Sequence, residues 1–263
     1  MIALVGIIAV AGLYLSATRA APRPIYGPFS TAAFLGGCVA LAAALASPLD
    51  DWAETRLSAH MIQHELLMVV AAPLLALGRA HWAILTMIAR RRRVVAAKLF
   101  ALVRWNPFAA WVAHAVAVWV WHIPILFEAA LSRPWLHGLQ HASFLGTALL
   151  FWWSILDRRD KYGVAAFYVF ATSVHTSILG ALLFFSPRSW YSVYAGAADA
   201  LEDQQLAGLI MWVPGGFVLA ATALLLISHW LREAERRATA REQAMPANSH
   251  SPQSLAIAKG GKR

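Results

Sequence analysis

Long apolar stretches broken by short polar ones set the pattern of this chain. Seven of them, about 1–18, 30–48, 57–78, 107–122, 136–156, 163–185 and 205–230, approach the roughly 20 mostly apolar residues that a helix needs to cross a bilayer. The fourth is short and leans on Trp111, Trp119 and Trp121, residues suited to a membrane interface. The pattern therefore predicts an all-α, polytopic transmembrane bundle of about seven spans.

The polar segments between these stretches test the partition. With the N-terminus outside, the cytoplasmic segments are 19–29, 79–106, 157–162 and 231–263. They hold every Lys and Arg of the chain except Arg56, Arg133 and Arg188. The outer loops carry acids instead: Asp50, Asp51, Glu54, Glu128, Asp199, Glu202 and Asp203. This alternation is what the positive-inside rule requires, and it implies an odd number of spans with the C-terminus in the cytoplasm.

Two stretches are not read as spans. Residues 79–106 mix the basic run Arg90 to Arg93 with Ile84, Leu85, Ile88, Val94, Leu99 and Leu102, as in an amphipathic helix on an anionic inner leaflet. The end of the chain is rich in Ala, Pro, Ser, Gln, Gly and Lys and reads as disordered. The expected organisation is one transmembrane domain over 1–238 and a cytoplasmic tail over 239–263.

Composition agrees with lipid as the main solvent: 60% hydrophobic and 13% charged, with mean hydropathy +0.57. A net charge of +9 could attract nucleic acid, but the basic residues lie in loops and the tail, not on one folded face. Cys38 stands alone inside an apolar run, so neither a disulfide nor a CxxC metal site is available within the chain. Met1 to Leu15 is apolar and is followed by Ala20-Ala21, but no Lys or Arg precedes it. It reads as a first span rather than a cleaved signal peptide.

Histidine changes the picture most. Of the ten, His81, His229 and His250 fall on the cytoplasmic side. His60 and His64 open the third span, His122 closes the fourth, and His137 and His141 open the fifth, so all five land near the outer surface. His114 and His175 lie deeper. Residues four apart share a helix face, so the pairs His60/His64 and His137/His141 can each present two imidazoles to one point. Imidazole suits Cu, Zn, Fe and Ni, and a buried imidazole without a partner is costly. The first pair is HMIQH, without the Glu of a zinc-protease HExxH, and Glu65 beyond it points elsewhere around the helix. Asp203 at the start of the last span could ligate, orient a His or cap a helix. Met61 and Met68 could offer thioether or simply pack. Pro73, Pro124 and Pro214 kink or end helices, and Gly215-Gly216 permits close helix approach.

The segments HMIQHELLMVVAAPLLALGR (60–79), WHIP (121–124), RPWLHGLQHASFLGTALLFWW (133–153), HTSILGALLFF (175–185) and DQQLAGLIMWVPGG (203–216) resemble the polytopic CtaG family of cytochrome c oxidase assembly proteins. The resemblance covers roughly 45–230, with five motifs in order. It implies a seven-span protein of the bacterial inner membrane that delivers copper to the CuB centre of a haem–copper oxidase. It further implies a metal site of His60, His64, His122, His137, His141 and His175, with Asp203 as acidic companion. Members commonly carry an apolar residue, often Met, after the second His of the first pair, where this chain has Glu65. Copper, with Zn as the alternative, is the ion so named. The implied partners are the oxidase catalytic subunit and a periplasmic copper donor, with membrane lipid around the chain; the residues leave the oligomeric state open, a homodimer included. The expected role is that of a non-enzymatic metallochaperone whose imidazoles lose metal below about pH 6.5. The residues alone leave three rivals: a membrane metal hydrolase or di-iron oxidase, a haem or quinone electron carrier, and a metal-free scaffold.

Overall fold

The computed structural model describes residues 2–20, 27–79, 106–156 and 162–244, and every regular element among them is helical. Helices stand at all seven predicted stretches. α1 is Ile2–Ala20 and α2 is Pro28–Leu45. A short α3, Pro48–Ala53, follows. α4 runs from Leu57–Glu65 through a π turn at Leu66–Ala71 to Ala72–Leu77. α5 is Pro107–Trp121, α6 Pro124–Ser132, α7 Pro134–Leu156 and α8 Tyr162–Phe185. α9 comprises Ala200–Ile210, a π turn at Met211–Gly215, and Gly216–Ala244.

Four of these, α2, α4, α8 and α9, are long and apolar enough to cross a membrane, and α5 with α6 makes a fifth if that bent pair is one span. The pair turns by 77° between Trp121 and Pro124. α5 alone is about 22 Å long at 1.5 Å per residue, short of the roughly 30 Å hydrocarbon core. α7 has 23 residues, but His137, Gln140 and His141 dilute its apolar character.

Several boundaries differ from the sequence expectation. α2 stops at Leu45, and Ser47 then caps α3 by accepting from Leu49 N. α9 begins at Ala200, five residues early, and continues to Ala244, so residues 239–244 are helical where a tail was expected. Beyond the span, Arg232, Glu233, Arg236 and Arg237 stand in an exposed part of that helix, where Glu233 and Arg237 pair four residues apart. Most of the basic 79–106 segment and the remaining tail lie outside the described residues.

α4 is the axis of the bundle. It packs on α2, α7 and α9, and 56% of its span is buried, against 28–33% for the other three. α8 joins α9 and α5, whereas α1 adds to the edge of α2 through Tyr14, whose ring stacks on Phe34 at 3.7 Å. Lipid is as apolar as Leu, so close packing and interhelical hydrogen bonds must hold such helices together. α8 and α9 meet at Gly180 and Gly208: a Cβ on Gly208 would lie 2.6 Å from Phe184 N. The large apolar side chains left exposed, among them Phe29, Ile125, Phe167 and Phe217, belong against acyl chains.

Both π turns sit by a proline, Pro73 just after the first and Pro214 inside the second. A proline has no N–H to give and crowds the carbonyl four residues back, and the wider turn accommodates it. Trp152 of α7 donates its indole N–H to the Met68 carbonyl at 3.1 Å, satisfying an acceptor within the first π turn.

A candidate metal centre where three helix ends meet

The first two turns of α4, the first two of α7 and the end of α5 meet at one place. Spacing four apart puts His60 above His64 on one face, with ring centroids 4.3 Å apart, and His137 beside His141 at 4.3 Å. The two pairs face each other, with His60 5.3 Å from His137 and His64 5.4 Å from His141. His122, the residue that ends α5, approaches His64 at 6.2 Å.

Donor atoms of His60, His137 and His141 all lie within 4.8 Å of one another. An ion bonding imidazole nitrogen at about 2.0–2.1 Å is within side-chain reach of all three without displacing a helix. Hydrogen bonding supports this reading. His60 and His64 are buried with neither ring nitrogen hydrogen-bonded, although the Ala53 carbonyl lies beside His60, and Nε2 of His137 and of His141 has no partner. Buried polar atoms are ordinarily satisfied, and this group of bare nitrogens is a donor set that a shared ligand would satisfy. His122 donates Nδ1–H to the Val118 carbonyl at 2.6 Å, which fixes its tautomer and leaves Nε2 as its free donor atom.

Aromatic rings close the site. Phe127 of α6 lies 5.0 Å from His60, and Phe144 of α7 lies 4.6 Å from His64. The loop after α8 forms the roof. Tyr191 stacks on Phe127 at 4.1 Å and donates to the His122 carbonyl, while Tyr194 donates to the Ala53 carbonyl. Burial pushes both tyrosine hydroxyls above their ordinary pKa, so they remain donors.

Asp203 lies elsewhere. Its Oδ2 accepts from the backbone N–H of Leu57 at 2.6 Å and of Ser58 at 3.4 Å, and its Oδ1 takes the Ser58 hydroxyl. It therefore caps the helix that carries His60 and His64, from a different helix. Nearby, Arg56 donates to Asp199 and holds that carboxyl below its usual range. His175 sits deeper, 6.0 Å from Trp111 and in the neighbourhood of His114, and has no ring contact with the other five. His229 bonds the Leu225 carbonyl far from the site, and His81 and His250 lie outside the described residues.

Two glutamines complete a pattern that spacing arguments alone passed over. Gln63 and Gln140 are fully buried and occupy the same place in the two pairs, HMIQH and HGLQH. Gln63 donates to the Ala44 carbonyl at 2.8 Å and to Asp50 at 2.7 Å, tying α4 to α2 and α3. Both polar atoms of Gln140 are without a partner. The repeated HxxQH was the signal available in the sequence.

The family model of the cytochrome c oxidase caa3 assembly factor, Caa3_CtaG, matches residues 12–233. No curated protein and no solved structure matches the chain significantly.

Proposed function

The chain belongs to the family of cytochrome c oxidase caa3 assembly factors, and from that premise we propose that it delivers copper to the CuB centre of the oxidase catalytic subunit. The carrying observation is the convergence of His60, His137 and His141, with bare nitrogens, at the outer ends of α4 and α7. Neutral imidazoles suit an ion that must be released again, and they suit copper better than Mg or Ca. Copper is cargo here. A soluble periplasmic donor loads it, His64 and His122 widen the ligand choice during exchange, and His175 receives or tunes it from below. The bundle has seven spans in the bacterial inner membrane with its N-terminus outside, because loop charge alternates, and it acts as a chaperone, not a catalyst.

The carboxylates that a membrane metal hydrolase would use as a general base have other surroundings. Asp203 caps α4, Glu202 is exposed, and Glu65 packs against Gly215. These placements favour carriage over hydrolysis. Cells in which His60→Ala/His141→Ala replaces the native protein should assemble an oxidase with its haem but little CuB, measured by copper-to-haem ratio in the isolated enzyme. A normal ratio would contradict the proposal.

A further inference from the structure

Below the outer cluster lies a cavity with room for about one water or one ion. Glu65, Met68, His114, Thr172 and Thr176 line it, with Trp152 and apolar residues. It sits beside the π turn of α4, and Glu65, adjacent to His64 in sequence, turns toward α9 and lies against Gly215, in the other π turn. A Cβ on Gly215 would stand 2.9 Å from the Glu65 carboxyl carbon. Glu65 Oε2 is shielded from solvent and has no hydrogen-bond partner.

The proton inventory of the lining is lopsided. Thr147 gives its hydroxyl proton to the Ser143 carbonyl at 2.7 Å, so at 3.1 Å it can only accept from His114 Nδ1–H. His114 therefore presents a lone pair at Nε2. Thr172 and Thr176 spend their protons on the carbonyls of Tyr168 and Thr172, both at 2.9 Å. The Trp152 N–H is spent on the Met68 carbonyl. What remains is the Glu65 carboxyl group, an imidazole nitrogen, a thioether and two hydroxyl oxygens, which together offer oxygen, nitrogen and sulfur lone pairs in a water-poor interior. A cation there would displace any carboxyl proton and supply the positive partner that a buried carboxylate requires, and among the described residues no Lys or Arg lines the cavity.

We propose that Glu65, His114 and Met68 form a second, inner binding site for a single soft or borderline metal cation, one turn below the outer histidines. Imidazole with thioether selects Cu(I) over alkali or alkaline-earth ions. The identification with copper rests on the function proposed above, whereas the existence of a cation site does not. The inner site gives an ion leaving the outer histidines a place inside the membrane, beside α9, and His175 stands near its His114 edge.

The test uses the full chain in detergent, loaded with Cu(I) under reducing conditions and desalted. Copper per chain and the copper X-ray absorption spectrum are read for the wild type, for His60→Ala/His141→Ala, and for that variant with Met68→Leu or Glu65→Gln. Met68→Leu keeps volume and packing, and near-UV circular dichroism confirms folding of each variant. The outer-site variant should retain about one copper with a sulfur neighbour. Met68→Leu should remove the sulfur signal, and Glu65→Gln should weaken retention at least about tenfold. No copper in the folded outer-site variant, or retained copper indifferent to both inner substitutions, overturns the proposal. Failure of the outer reading looks different: His60→Ala/His141→Ala would leave wild-type copper intact while the inner substitutions remove it.

Discussion

Asp203 illustrates what a single residue can and cannot disclose. Its type and place near a helix start allowed both a ligand and a cap, and the cap it makes belongs to a helix 145 positions away in sequence. No local pattern encodes that destination, because a contact in trans depends on how α9 packs on α4. The two roles separate cleanly in experiment. Asp203→Ala leaves Leu57 N and Ser58 without their acceptor, which should cost about 1–2 kcal/mol, as N-cap losses do, and lower the thermal unfolding midpoint. Copper bound at saturation should be unchanged, whereas a ligand role would strip it. The His pairs, by contrast, were legible because spacing of four fixes a shared face whatever the tertiary packing. The Arg56–Asp199 pair adds a pH effect of known sign. Its carboxyl is depressed in the folded state, so its contribution is present above the ordinary range near pH 4 and fades as pH falls through the lowered value. Both partners are largely exposed, so Asp199→Asn should move the neutral-pH midpoint little, and less still in high salt.

At the scale of elements, the apolar runs located the helices because each is long and its contrast with the polar segments is high. The breaks inside them were harder to place. Pro73, Pro124 and Pro214 marked the right regions, yet a proline alone does not say whether a helix ends, bends by 77° as after α5, or continues through a π turn as in α4 and α9. Neighbouring helices decide which, by supplying partners such as the Trp152 indole. The extension of α9 to Ala244 was missed because its polar sequence resembles a tail, while i,i+4 pairing supports it as helix. The crossing of α8 and α9 gives a sharp prediction. Gly208→Leu should destabilise the bundle by at least the roughly 1–3 kcal/mol typical of overpacking, measured by thermal unfolding in detergent. Gly146→Ala, where an added Cβ meets open space, should be neutral or stabilising, since Ala is the better helix former.

For the whole molecule, the positions of the basic residues give the expected topology, and the histidines give the candidate site. Cys38 is buried, so new cysteines can report sidedness against a quiet background. With the N-terminus outside and seven spans, Thr55→Cys should react in intact cells with a membrane-impermeant maleimide, and Arg241→Cys should react only after the membrane is opened. Labelling of both from outside would break the seven-span reading. Convergence at one end follows from antiparallel packing: helices running in opposite directions bring the start of α4, the end of α5 and the start of α7 to one level. The sequence could not show how closely the rings approach, nor that an aromatic roof from the loop after α8 covers them, because both depend on distant contacts such as Tyr191 to His122.

Metal analysis of the purified protein beside its His60→Ala/His141→Ala variant tests the central claim most directly. After Cu(I) loading, the wild type should carry at least about one copper per chain in preference to zinc or iron, with nitrogen neighbours in its X-ray absorption spectrum. The variant should lose that nitrogen-ligated copper while remaining folded. Equal copper in both proteins, or none in the wild type, would contradict the account.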